Sequence, residues 1–276
     1  IATELDKREI SPELIGKGSA RFIIGLAKKV IIANNLGALH TEILSQNSNS
    51  SVLTSWLGVA AYTLQIYFDF SGYSDMEIGL GKVFGFNFME NFNYPYISKS
   101  VTEFWRRWHI SLSTWFRDYL YFPLGGNRVA PRRHIINLLI VWMLTGLWHG
   151  ASWNFVVWGL YYGIFLILEK YFFAERIEKL PSILQHLITI FIVSIAWVFF
   201  FSNNLTEAIH YLGDMFMLSK LPFANMHFLY LLKSNLVLMI IAIVLSHPKP
   251  YKMYTLISKS STAFSIASLL IIFIIS

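Results

Sequence analysis

Long apolar runs separated by short polar segments dominate the pattern of this chain. The runs lie at residues 52–70, 135–148, 153–173, 183–201, 228–245 and 262–276. A backbone that enters lipid has to satisfy its own N–H and C=O groups, and an α-helix does so within a single segment. The pattern therefore predicts an all-α, multi-span membrane protein. The last run covers about 15 residues, fewer than the roughly 20 that cross a bilayer.

Two segments depart from this simple pattern. Residues 18–37 carry apolar side chains at helical spacing but include Arg21, Lys28 and Lys29, which predicts an amphipathic or bundle-buried helix. Residues 67–126 hold charges and glycines too often for a lipid-facing helix, and aromatic residues too densely for a solvated loop. Such backbone persists at membrane depth only when it is buried in protein or lines a cavity. We therefore expect 67–126 to form a re-entrant core that bears the motifs.

Within this core, one helix is predicted to begin at Ser100 and to end before Pro123. Residues Ser100-Val-Thr-Glu103 form a capping box, and the glycines after Pro123 signal a turn. At about 100° per residue the helix has an apolar face and a basic, histidine-containing face. The apolar face comprises Phe104, Trp108, Leu112, Trp115 and Tyr119, and the basic face comprises Arg106, His109, Ser113 and Arg117.

Composition supports a membrane setting, because 55% of the residues are hydrophobic and only 14% are charged. A soluble domain carries about 25% charged residues. The absence of cysteine excludes disulfides, thiolate catalysis and cysteine-based metal sites. The net charge of +6 comes from basic residues dispersed between apolar runs, so we expect no nucleic-acid partner.

The beginning and end of the chain predict a fragment. The chain starts at Ile1 in a polar segment that resembles neither a signal peptide nor a start of translation. Its last apolar run stops short of a full span. We interpret residues 1–276 as a single membrane domain that lacks N-terminal spans and the extreme C-terminus.

The charges of the short loops predict an orientation. Loops 128–134, 174–182 and 247–261 are rich in arginine and lysine, whereas 37–51 and 202–227 are nearly free of them. Cytoplasmic loops carry an excess of basic residues, so the first group is expected inside and the second outside. The run leading to His149 then rises only about 21 Å, against a hydrocarbon core of about 30 Å. We expect His149 to lie within the membrane profile.

His149 and His109 stand out among the eight histidines. His149 lies between two apolar runs, where ionisable groups are costly and usually functional, although a hydrogen bond that packs two spans is the alternative. His109 lies on the basic helix face, where an interfacial role is the alternative. Without cysteine or a carboxylate pattern, two histidines predict no metal site. The remaining histidines lie in or beside predicted loops and are given no catalytic role: His40, His134, His186, His210, His227 and His247.

A set of motifs, taken in order and spacing, resembles the membrane-bound O-acyltransferase family. The resemblance covers residues 18–170 and is closest to the bacterial alginate O-acetyltransferase branch, with the D-alanyl transferase of teichoic acid synthesis as a close relative. The motifs are Tyr67-Phe-Asp-Phe-Ser-Gly-Tyr-Ser-Asp75, Phe104-Trp-Arg-Arg-Trp-His-Ile-Ser-Leu-Ser113, Trp115-Phe-Arg-Asp-Tyr-Leu-Tyr121, Pro123-Leu-Gly-Gly-Asn127 and Gly146-Leu-Trp-His-Gly-Ala151.

The resemblance implies a helical bundle with re-entrant and amphipathic helices around a central tunnel, in the bacterial cytoplasmic (inner) membrane. It implies His149 as the catalytic histidine and His109 as the second histidine of the branch. An acyl group would move from a cytoplasmic thioester, acetyl-coenzyme A or a pantetheine carrier, to an extracytoplasmic polysaccharide, directly or through a partner protein. No tightly bound cofactor is expected. Residues expected to bind the donor or line the tunnel are Arg106, Arg107, Trp108, Ser113, Arg117 and Trp148.

Two other functions stay open. Transfer of D-alanine from a carrier protein to a cell-wall polymer would use the same tunnel. A proton-coupled transporter would use Asp69, Asp75 and the histidines as a proton relay. Such transporters often contain internal repeats, and segment 67–126 has no counterpart after Trp153.

Overall fold

A computed structural model of the chain describes residues 8–45 and 50–253. Within these ranges the regular secondary structure is helical and there are no strands, which confirms the all-α prediction. Three π-helical turns, Lys28–Ala33, Arg117–Tyr121 and Glu169–Phe173, interrupt or extend the helices. The α-helices are α1 (Pro12–Ala27), α2 (Asn34–Ser45), α3 (Val52–Val83), α4 (Val101–Arg107), α5 (Ile110–Phe116), α6 (Pro131–His149), α7 (Trp153–Leu168), α8 (Ala174–Glu178), α9 (Ser182–Phe201), α10 (Leu205–Met215) and α11 (Met226–Leu245).

Within the described ranges, four helical segments are long and apolar enough to cross a membrane. They are Pro12–Ser45, Trp153–Glu178, Ser182–Phe201 and Met226–Leu245. The first confirms the helix predicted at 18–37 and is longer, and the other three contain the runs predicted at 153–173, 183–201 and 228–245. The runs at 52–70 and 135–148 are helical as parts of α3 and α6. The run at 262–276 lies outside the described residues.

One compact unit is formed by the described parts of residues 1–45, 61–93 and 231–276. Here α1 and α3 run antiparallel, and glycines bring their backbones into contact. A Cβ atom added to Gly18 would lie 2.5 Å from the Gly79 oxygen, and one added to Gly25 would lie 2.5 Å from the Gly72 oxygen. A side chain at these positions would push the two helices apart.

Ion pairs join the same two helical segments of this unit. The Asp75 carboxylate accepts hydrogen bonds from Arg21 Nη2 at 2.8 Å and from Lys28 Nζ at 2.6 Å. Lys29 pairs with Asp69 in the same way. α3 therefore continues past the end of the apolar run at 52–70 to Val83, because its carboxylates face basic partners.

The second compact unit comprises residues 46–60 and 94–230 and contains both histidines of interest. α6 and α7 form a helical hairpin with a three-residue connection at 150–152. A Cβ atom on Gly159 would lie 2.2 Å from the Trp142 oxygen, and one on Gly146 would lie 2.3 Å from the Phe155 oxygen. The two helix backbones therefore touch directly. α9 packs on α7, and α10 packs on α9.

The prediction of a single helix between Ser100 and Pro123 is wrong, because the helix is broken at Trp108 and His109. Its start is confirmed, because Ser100 Oγ accepts a hydrogen bond from the Glu103 N–H at 3.0 Å. α4 ends at Arg107, and Trp108 is extended, with φ −110° and ψ 129°. His109 follows in the left-handed conformation, with φ 46° and ψ 55°. Trp108 is 4% exposed, and burial of its ring beside Trp197, 5.1 Å away, offsets the cost of breaking the helix.

The break also divides the predicted apolar face. Phe104 and Trp108 are buried as expected, whereas Trp115 is 53% exposed and Tyr119 is 69% exposed. The continuous face was therefore a wrong prediction. A left-handed residue changes the direction of the chain, so residues before and after His109 no longer share one helical register.

Two histidines assigned to loops are instead buried. His134 is 2% exposed in the first turn of α6, and His40 is 6% exposed in α2. The Nε2 atom of His134 lies 2.9 Å from the Tyr121 hydroxyl, and its Nδ1 atom lies 2.7 Å from the Tyr171 hydroxyl. The loop prediction was wrong because α6 begins at Pro131, before His134, and both ring nitrogens have protein partners.

The backbone contact in the α6–α7 hairpin predicts a stability difference between two glycines. Gly159→Ala is expected to lower stability by about 1–3 kcal/mol, because the new methyl group meets backbone that can move only if the helices separate. Gly16→Ala is the control, since a Cβ there has no atom within 4 Å. It should raise stability by about 0.5–1 kcal/mol through its better helix propensity. Thermal unfolding of the full-length protein in detergent measures both, and equal shifts would contradict the hairpin contact.

Candidate active site

His149 is the last residue of α6, at the tip of the α6–α7 hairpin. Its Nδ1 atom lies 2.8 Å from the Thr145 carbonyl oxygen. A carbonyl oxygen only accepts hydrogen bonds, so Nδ1 carries the proton of this contact. The neutral ring then has its lone pair on Nε2, and the second nitrogen is the basic atom.

Aromatic rings surround the half-buried imidazole of His149. The ring centroid of Trp158 lies 4.7 Å away, that of Trp148 lies 4.9 Å away and that of Phe200 lies 5.4 Å away. Packing on several sides restricts ring rotation, and the hydrogen bond to Thr145 selects one orientation. His149 is therefore held with a defined direction for Nε2.

His109 lies beside the same tryptophan, since its ring centroid is 6.1 Å from that of Trp148. Its left-handed backbone is uncommon for a residue other than glycine, although histidine adopts it more readily than most. Residues held in such conformations cluster at functional sites, because the surrounding structure has to impose them. The structure therefore brings the two histidines predicted from the sequence to a common neighbour, Trp148.

The protonation state of His109 follows from its surroundings. Burial first, and second the repulsion from His149 when that ring is protonated, lower the pKa of His109 from 6.5 to about 4. His109 lies in the connection between α4 and α5, outside the segments apolar enough to span a membrane. Its imidazole is therefore neutral near pH 7, with a proton on one of its two ring nitrogens.

A buried aromatic wall lies behind the site and was missed in the sequence. Trp158 and Tyr162 of α7 contact Trp105 of α4, with ring centroids 5.8 Å and 4.8 Å from it, and Trp197 of α9 lies 6.4 Å from Trp158. The indole nitrogens and the Tyr162 hydroxyl are buried without a hydrogen-bond partner in the part of the chain that the structure describes. Aromatic residues within apolar runs give no periodic signal that separates a site wall from ordinary core. The only sequence signal for these aromatic residues is the tryptophan content of the chain.

The residues predicted to bind the donor are placed differently from one another. Arg106 and Arg117 are exposed, whereas Arg107 Nη2 pairs with Glu103 at 2.8 Å. Arg117 Nε lies 2.7 Å from Asp118 Oδ1 and lowers the pKa of that exposed carboxyl. Only part of the arginine charge is therefore available to phosphate, and binding by these residues stays a prediction.

The uncharged residues of the predicted donor site lie closer to the helix break. Trp108 packs on Trp197, and Trp148 contacts both histidine rings while 57% of its own surface is exposed. The Ser113 hydroxyl donates a hydrogen bond to the Trp105 carbonyl at 3.5 Å and so joins α5 to α4. The structure thus gives Trp148 the position best suited to contact a ligand at the histidines.

Four helices in the described part of the chain, long and apolar enough to cross a membrane, define an all-α membrane protein, and the two histidines beside Trp148 are its candidate site. The sequence profile of the membrane-bound O-acyltransferase family matches residues 13–207. The chain therefore belongs to the membrane-bound O-acyltransferase family.

Several curated relatives are similar over most of the chain. A probable alginate O-acetylase of Azotobacter vinelandii is 47% identical over 221 residues, which cover 78% of this chain and 43% of that protein. A peptidoglycan O-acetyltransferase of Helicobacter pylori is 43% identical, covering 73% of this chain and 39% of that protein. A teichoic acid D-alanyltransferase of Bacillus subtilis is 31% identical, covering 63% of this chain and 47% of that protein. The chain thus spans less than half the length of these relatives.

The low pKa of His109 predicts a specific pH dependence of stability. Above pH 6.5 the histidine is neutral in both folded and unfolded chains, so it adds no pH dependence. As the pH falls from 6.5 towards about 4, the unfolded chain binds a proton that the folded protein excludes, and stability falls. His109→Asn removes this titration and tolerates the left-handed backbone. Its melting temperature in detergent should fall less between pH 7 and pH 5 than that of the wild type.

His210→Asn is the matched control for this measurement, because His210 is exposed in α10. The control should reproduce the pH dependence of the wild type. A wild-type slope in His109→Asn as well would show that His109 titrates normally in the folded protein.

Proposed function

We propose that this chain is the histidine-bearing part of an O-acyltransferase that acetylates an extracytoplasmic polysaccharide from the bacterial inner membrane. The observation that carries the proposal is the tautomer of His149. Its Nδ1–H is bound by the Thr145 carbonyl at 2.8 Å, which leaves Nε2 as the basic atom of a ring that shares the neighbour Trp148 with His109. A base held in this way suits removal of a hydroxyl proton.

The reaction follows from this arrangement in two proton transfers. The acceptor hydroxyl gives its proton to His149 Nε2 as its oxygen attacks the carbonyl carbon of the thioester. The carbon–sulfur bond then breaks, and the leaving thiolate takes the proton back from Nε2. The acyl group ends on the acceptor oxygen, the thiol is released, and His149 returns to its neutral form. General-base catalysis of this kind contributes about 10²- to 10⁴-fold.

Negative charge develops on the thioester oxygen during the attack and needs a hydrogen-bond donor. The candidates are the neutral imidazole of His109 and the indole of Trp148, which is near both histidine rings and has much of its surface exposed. We assign the donation to this oxygen to one of these two groups. Donors arranged in advance are effective because they need no reorganisation when the charge appears.

Acetyl is the acyl group that the relatives favour. The alginate and peptidoglycan O-acetylating proteins are 43–47% identical to this chain, whereas the D-alanyltransferase of Bacillus subtilis is 31% identical. The donor is a cytoplasmic thioester, either acetyl-coenzyme A or a pantetheine carrier. The acetyl group passes to polysaccharide hydroxyls directly or through an extracytoplasmic partner protein.

The transporter alternative has less structural support. Asp69 and Asp75, which it would use as proton carriers, are paired with lysine and arginine side chains within the unit that holds α1. Those pairs join two helices. The ion pairs thus supply a structural role for both aspartates.

Replacement of His149 tests the proposed mechanism. In membranes that contain the full-length protein, His149→Ala should reduce acetyl transfer at least about 10²-fold, because the base is lost. His210→Ala is the control and should keep wild-type activity, since that side chain is exposed in α10. Wild-type transfer by correctly inserted His149→Ala protein would remove His149 from the mechanism.

An assay with three different thioester donors distinguishes acetyl transfer from D-alanyl transfer. The same membranes receive either radiolabelled acetyl-coenzyme A, an acetyl-loaded carrier protein or a D-alanyl-loaded carrier protein. We expect His149-dependent incorporation of acetyl groups into polysaccharide and none of D-alanine. Incorporation of D-alanine alone would contradict acetyl transfer and favour D-alanyl transfer to a cell-wall polymer.

A further inference from the structure

Glu169 is an ionisable residue in an apolar helical segment, and the mechanism above gives it no role. It follows α7 at the start of the π-helical turn Glu169–Phe173, within the span-length segment Trp153–Glu178. Carboxylates in such segments are costly and usually have a functional partner. π-helical turns are likewise frequent at functional sites.

The partner of Glu169 is the beginning of another helix. Its Oε2 atom accepts a hydrogen bond from the Val101 N–H at 2.8 Å, and its Oε1 atom accepts one from the Thr102 N–H at 3.2 Å. Ser100 Oγ accepts the next N–H, that of Glu103, at 3.0 Å. The first N–H groups of α4 are therefore satisfied by two side chains, and one of these comes from the π-helical turn that follows the distant helix α7. A carboxylate also interacts favourably with the positive end of a helix dipole.

α4 needs such an anchor because it is short. It has seven residues and ends at Arg107, immediately before the segment that holds His109 in its left-handed conformation. Isolated helices of this length are not stable in water, so tertiary contacts have to hold α4 in place. The position of its first turn therefore influences the position of His109.

α7 supports both histidines through residues that share one of its faces. Trp158 contacts the His149 ring, and Tyr162 contacts Trp105 in the middle of α4. Glu169 follows Trp158 by eleven positions, which returns to nearly the same helical face at about 100° per residue. α4 is thus attached to α7 at its middle by ring packing and at its start by the Glu169 carboxylate.

We propose that Glu169 is a positioning residue for the two-histidine site. Its carboxylate fixes the start of α4 on α7, and this sets the position of His109 relative to His149. The inference rests on the proposed acyl transfer for its kinetic consequence. The structural consequence, tighter protection of the α4 amides, does not depend on activity.

Kinetics of the full-length protein in membranes test the positioning role. Glu169→Ala should lower kcat about 10- to 100-fold with little change in the KM of the thioester donor, because a small misplacement of a catalytic group has effects of this size. Glu169→Gln keeps one carbonyl oxygen and loses the charge, so it should recover part of kcat. Glu175→Gln makes the same charge change at an exposed position of α8 and should match the wild type. Wild-type kcat in Glu169→Ala would overturn the inference.

A double-mutant cycle shows whether Glu169 acts through His109. On a His109→Asn background, Glu169→Ala should reduce kcat by less than about 2-fold, since the group that it positions is already lost. Full additivity of the two losses would overturn the link between Glu169 and His109.

Hydrogen exchange provides a readout that is independent of catalysis. In nanodiscs, amides of the peptide at 101–104 should exchange at least about 10-fold faster in Glu169→Ala than in the wild type, with Glu175→Gln unchanged. Unchanged exchange in Glu169→Ala would overturn the inference. If the wild type transferred no acetyl group, the proposed function would fail, and the exchange rates would still decide whether Glu169 anchors α4.

Discussion

Direct contact between the backbones of α6 and α7 is the constraint on which the histidine site depends. Gly146 and Gly159 lie where a Cβ atom would be only 2.2–2.3 Å from a carbonyl oxygen of the facing helix. The residue next to Gly159 is Trp158, whose ring contacts His149 at 4.7 Å. The closest point of the hairpin is therefore also the point that brings an aromatic wall against the histidine at its tip.

α7 connects this hairpin to the second histidine. Trp158 contacts His149, Tyr162 packs on α4, and Glu169 binds the first amides of α4. Because these contacts come from α7 and the π-helical turn that continues it, a displacement of α7 would change the surroundings of His109 and His149 together. One rigid element thus holds the two histidines, which lie on separate segments, in fixed positions. Catalysis by positioned groups requires such an arrangement.

The backbone conformation of His109 is locally unfavourable. Its backbone leaves the helical region at a residue with a side chain, which is unfavourable by about 1–3 kcal/mol. Burial of Trp108 against Trp197 and anchoring of α4 on α7 offset this cost. Burial of the His109 ring itself keeps this residue neutral, with a pKa of about 4. A neutral donor and a neutral base can therefore coexist beside Trp148, where two imidazolium rings would repel each other.

The local sequence pattern was enough to predict the helical class, the apolar segments and the start of α4 at Ser100. It was also enough to select His109 and His149 as candidate site residues. These features depend on backbone hydrogen bonds, side-chain spacing and the cost of ionisable groups in an apolar run, all of which are properties of neighbouring residues. Tertiary structure alone decided the break at His109, the burial of His134 and the contact between Glu169 and α4. Each of these depends on residues far apart in the chain, such as Trp197 beside Trp108, whose packing outweighs the local preference for one continuous helix.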